Sequence, residues 1–131
     1  MLVIRKEQLQ RFIAADENEL VAEVAKSVRG AVNERVSPYD DAQFQKMVKI
    51  GIDRARANKL TGAEDISAFV AVMFEVAPRF DEQKDIRAVL DNDKFPPEAR
   101  FYQIFDFATD QAWAEAERRY DDSFWFPEGA A

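Results

Sequence analysis

Histidine and cysteine are both absent from this sequence. Their absence removes the side chains that most often serve as general base, zinc ligand or activated nucleophile. It also excludes a disulfide framework and thiolate chemistry. Glycine occurs four times at scattered positions, so no phosphate-cradling loop is spelled out. Ser27, Ser37, Ser67 and Ser123 have only lysines or carboxylates as candidate activating partners. Asp91-Asn92-Asp93 with Glu98 begins like a calcium loop but lacks that loop's turning glycine and its full ligand spacing. The carboxylate pair Asp81/Asp85 is one of many in a chain with 25 acidic residues, so it does not single out an acid–base site. A long apolar run is missing too. The densest stretch, Ile66 to Ala77, is too short to span a bilayer. The opening MLVI passes at once into RKEQ, in which no secretory signal is legible, and cytoplasmic residence is the default. The expectation is a protein that is not an enzyme, with no catalytic residues, no cofactor and no metal.

What is present suits an ordinary soluble domain. The chain has 131 residues, 47% hydrophobic and 33% charged, enough for one helical domain over 1–131 with its own core. The net charge of −7 argues against nucleic acid and membranes as partners. That charge is uneven. Residues 1–60 carry 11 Lys+Arg against 9 Asp+Glu, a balance of +2, whereas residues 61–131 carry 7 against 16, a balance of −9. An acidic C-terminal half is a solvated surface or the counterpart of a basic partner.

The apolar spacing predicts an all-α fold of five or six helices organised around a central apolar helix near residues 62–77. Ten of the twelve residues from Ile66 to Ala77 are apolar. Ile66, Phe69, Val70, Met73, Val76 and Ala77 share one face, Val72 and Phe74 flank it, and Glu64, Ser67, Ala68, Ala71 and Glu75 are left for the far side. Thr61 with Glu64 reads as a capping box, and Pro78 ends the helix. Upstream, residues 6–33 carry apolar positions every three to four residues and read as one long helix, although Asp16-Glu17-Asn18-Glu19 offers a break. Met1 to Ile4 is an apolar lead able to staple onto it. Asp40 or Asp41 caps a second helix running to about Asn58, in which Gly51 sits on the buried face where another helix is expected to cross closely. A brief helix ends near Asp91. Pro97 then opens a last helix to about Asp121, with Phe101, Ile104, Phe105, Ala108, Ala112 and Ala116 as its core stripe and Tyr102, Trp113 and Tyr120 beside it.

Some apolar residues fall off these stripes. Ile50 lies among Lys46 and Lys49, and Phe107 points away from the last helix's apolar face. Phe124, Trp125 and Phe126 follow that helix, with Asp121 and Asp122 beside them. The tail either folds back over the last helix or forms an aromatic partner anchor inside an acidic rim. Ile50, Phe107, Phe124, Trp125, Phe126, Asp121 and Asp122 are therefore the candidate partner-binding residues.

The opening VIRKEQ, the block GIDRARANKLTGAEDISAFVAVMFEVAPRFD (51–81) and LDNDKFPPEARF (90–101) resemble a family of small, mostly uncharacterised bacterial proteins. Members of that family tend to be encoded beside type VI secretion spike and toxin genes. The resemblance covers residues 3–105. The chain departs from it at Gln83-Lys84-Asp85, where the family often has Pro-Trp before the short helix. It carries over no catalytic residues. It implies a setting in which the partner is another protein, a toxin, spike or adaptor component, possibly basic, with a homodimer also open. Two functions then remain: an adaptor or chaperone that holds a toxin or spike protein before export, and an immunity protein that neutralises a cognate toxin.

Overall fold

The computed structural model describes residues 6–126, and the side chains of residues 16–126. The Met1 to Ile4 lead lies outside the described residues.

Helix α1 runs unbroken from Lys6 to Ala31. Asp16, Asn18 and Glu19 remain on its solvent side, so the polar run does not interrupt it. Val21, Val24 and Val28 are buried at the three-to-four spacing expected of one apolar stripe. The backbone leaves the helix at Val32, and a single turn, α2 (Asn33–Val36), buries Val36.

Helix α3 (Asp41–Ala57) opens on a reciprocal cap. The Asp40 carboxylate accepts from the Gln43 N–H at 2.8 Å while the Gln43 side chain accepts from the Asp40 N–H at 3.2 Å. Its C-terminus closes in a Schellman turn: the Lys59 N–H donates to the Arg56 carbonyl, the Leu60 N–H to the Ala55 carbonyl, and Lys59 takes the left-handed conformation at φ 68°. Leu60, carried inward by this turn, is buried.

Helix α4 (Ala63–Glu75) is the central element and packs on both α1 and α3. Ile66, Phe69, Val70, Met73 and Phe74 are all buried. Its cap differs from the expected capping box. Gly62 is the N-cap, with no side-chain hydrogen bond, and the chain enters the helix one residue beyond Thr61 in extended backbone. Where α3 crosses α4, a Cβ placed on Gly51 would stand 2.9 Å from both methyl groups of Val70. Glycine is there because the two helices touch backbone against side chain.

A 3-10 turn at Phe80–Glu82 leads into α5 (Lys84–Leu90), whose first N–H groups donate to the buried Gln83 side chain. Pro97 occupies the first turn of α6 (Pro97–Phe107). The expected single last helix is in fact two. Ala108 is extended, Thr109 accepts from the Ala112 N–H at 3.1 Å, and α7 runs from Asp110 to Arg118. The break folds α7 back, so Phe105, expected in the core, is 51% exposed. A 3-10 turn at Asp122–Phe124 is the last helical element of the described chain. The fold is all-helical, with seven α-helices and no strand among the described residues. No described helix is long and apolar enough to cross a membrane.

Candidate functional site

The break between α6 and α7 creates the most distinctive surface of the molecule. With α7 turned back, the Trp113 ring stacks on Phe105 at 5.6 Å between centroids and 14° between planes. It also lies 6.3 Å from the Phe80 ring. Phe101 meets Phe105 edge-on at 5.7 Å. One aromatic of this series, Phe105, is left half open to water. Helix α6 is itself pinned by Tyr102, whose hydroxyl donates to the Asp65 carboxylate on α4 at 2.8 Å. That bond, with a smaller contribution from burial, raises the Tyr102 pKa, because ionisation would remove the donor and bring two anions together.

Opposite the Phe105–Trp113 pair runs the narrow far side of α4. Ala71, Val72, Glu75 and Val76 line it, with Val32 at the end of α1 and Glu117 on α7. Together they enclose an open groove of about 380 Å³. The apolar residues of α4 here, Ala71, Val72 and Val76, are small or β-branched. Glu75 and Glu117 are the only charged residues in the lining, one on each wall. A second, more polar depression continues past Val32 and Glu75 toward Glu34 and Arg35. Arg35 approaches Glu75 at 3.7 Å, with both side chains more than half exposed. Such a pair is weak and open to exchange.

The residues singled out in the sequence do not gather into one patch. Trp125 is not an exposed anchor. It is 2% exposed and stacks on Phe74 at 4.7 Å, because the tail folds inward onto α4. Phe124 lies half-buried beneath the guanidinium groups of Arg54 and Arg79, at 5.1 and 5.5 Å. Phe126 packs beside Tyr39 at 6.0 Å. These rings belong to the core's edge. Asp121 and Asp122 are exposed, and Asp121 holds the tail's turn by accepting from the Ser123 N–H. Ile50 is half-buried against the core. Among the described residues Phe107 is the most open of the large apolar side chains at 68%, but it does not line the groove.

The sequence reading also missed a buried polar cluster. Asp81 is 3% exposed. Arg54 donates through Nε to its Oδ1 at 2.9 Å, and Asn58 donates through Nδ2 to its Oδ2 at 3.0 Å. Arg87 donates through Nη2 to the Asn58 side-chain oxygen Oδ1 at 2.9 Å. The cluster ties the turn after α4 to α3 and α5, and Arg54 then carries Phe124 on its face. A carboxylate held by an arginine and an amide in this way is a tether between elements. Arg54, Asn58 and Asp81 all fall within the 51–81 block. The available signal was three polar residues at core-facing or core-adjacent positions. Among the described residues no group of three or more Asp or Glu side chains is placed to hold a metal ion. Comparison of the chain with family models, with curated proteins and with solved structures finds no match.

Proposed function

We propose that the chain is a non-catalytic protein-binding accessory protein, an adaptor or chaperone for a toxin or spike component in the secretion setting that the resemblance implies. The observation that carries this reading is the apolar groove between α4 and α7, with the half-exposed Phe105 on its wall. Apolar surface left open in a defined groove lowers the stability of the isolated chain relative to one in which it is covered. A small domain that keeps such a groove, and has neither histidine nor cysteine, is better suited to holding another protein than to chemistry on a small molecule.

The experiment is coexpression of the tagged chain with each protein encoded beside it. The wild type should retain one of them. Phe105→Ala and Val72→Glu should each release it, while Phe107→Ser retains it and all three variants remain folded by circular dichroism. Retention by both groove variants would sink the reading. Protection of cells from a coexpressed toxin would assign the chain to immunity, whereas an adaptor is required for export and gives no protection.

A further inference from the structure

We infer that the occupant of the groove is an amphipathic helix from a partner protein, apolar on one side and flanked by lysine or arginine. This rests on the proposal that the groove is a docking surface. Backbone hydrogen bonding argues for a helix. The floor and walls are apolar side chains of α4, α6 and α7, and among the described residues there is no strand whose edge could pair with an extended peptide. An extended segment laid there would lose water from its N–H and C=O groups and find no partners for them. A helix brings those bonds with it and presents anchors three and four residues apart. The groove's volume of about 380 Å³ has room for about two or three large aliphatic side chains, judging from the roughly 150 Å³ left when one is deleted from a core.

Charge decides the flanks. Glu75 stands on one wall and Glu117 on the other, and no cation lines the groove. An apolar centre between two carboxylates matches a helix whose apolar stripe is bordered by cations. Arg35 pairs with Glu75 at 3.7 Å with both side chains more than half exposed, and can be displaced at little cost.

Other occupants fit less well. Residues 1–5 are apolar and basic, but α1 separates Lys6 from Val32 by about 40 Å at 1.5 Å per residue. Five extended residues reach only about 17 Å. Residues 127–131 carry an acidic residue and nothing apolar larger than proline. A second copy would bring one −9 half against another.

The test uses model peptides on the intact chain. One is an 18-residue helix of leucine and alanine with lysine on both flanks, about five turns long. The second has glutamate for lysine, and the third keeps the lysines but scatters the leucines. Binding is read by fluorescence anisotropy of labelled peptide. The lysine-flanked helix should bind at least about ten-fold more tightly than the other two. Glu75→Lys with Glu117→Lys should reverse the preference between lysine and glutamate flanks. Phe105→Ala should abolish it. Equal affinity for the scattered peptide, or no reversal in the double variant, overturns the inference. So does dimerisation through the groove, seen as a concentration-dependent mass lost in Phe105→Ala. If a neighbouring protein is captured in a Phe105-dependent way yet the lysine-flanked helix does not bind, the docking proposal stands and this inference falls.

Discussion

The crossing of α3 and α4 offers a quantitative test of how the core is assembled. A Cβ at Gly51 would meet both Val70 methyls at 2.9 Å, against 3.4–4 Å for ordinary contact. Rotation about the valine Cα–Cβ bond gives no relief. Two of the three staggered positions carry methyls, so at least one always faces Gly51. Gly51→Ala must therefore push the helices apart or strain Val70. Overpacking of this kind costs about 1–3 kcal/mol. The substitution also recovers about 1 kcal/mol of helix propensity, which leaves a net loss between about zero and 2 kcal/mol. Val70→Ala alone removes two buried methyls and costs about 2 kcal/mol or somewhat more once the void is counted. In the double variant the new methyl enters the space the old ones left. The two losses should then fail to add by about 1 kcal/mol or more in the favourable direction. Urea unfolding followed by circular dichroism, with the slope unchanged across the four proteins, measures each term. Strict additivity, or a Gly51→Ala variant more stable than the wild type, would refute the close crossing.

Three further outcomes are expected. Asp81→Ala should lose about 3 kcal/mol in the same assay, near the lower end for breaking a buried pair, because Arg54 keeps some access to water. Trp125→Ala should lose about 3 kcal/mol or more, since its ring is sandwiched into the core and not held out for a partner. Glu17 accepts two hydrogen bonds from Arg56, at 2.7 and 3.0 Å, and these hold its pKa below the ordinary carboxylate value. Its small stabilising contribution is thus present at neutral pH and is lost as pH falls through the lowered value. A side-chain carboxyl NMR titration should show Glu17 returning toward the ordinary value in Arg56→Gln, with little change in melting temperature.

Much of this architecture is legible in the residues. The length and apolarity of α4, an aspartate cap at Asp40 or Asp41, the proline at the start of α6 and the glycine at the helix crossing each follow from local chemistry. The break at Ala108–Thr109 does not. Ala108 is a good helix former, and Ala108, Ala112 and Ala116 keep helical spacing across it, so the apolar pattern runs through a point where the backbone turns. The choice is made by the local cap of Thr109 on α7, to which the apolar pattern is blind, and by Trp113 packing on Phe105 and on Phe80 from a distant part of the chain. The groove is hidden for the same reason. Val72, Val76 and Phe105 read as core residues individually, and they line an open surface only because α7 doubles back beside α4 without covering it. Trp125 illustrates the converse. An aromatic tail after a charged helix is ambiguous until the ring that receives it, Phe74, is in place.

The proposed docking of partners in the groove, and not on the off-stripe residues Ile50 and Phe107, can be read from covalent capture. A photo-crosslinking amino acid placed singly at Phe105, Ile50 and Phe107, in cells coexpressing the proteins encoded beside the chain, tests it directly. An adduct is expected from position 105 alone, mapped in the partner to a helix flanked by lysine or arginine. Adducts from position 50 or 107 with none from 105 would contradict it.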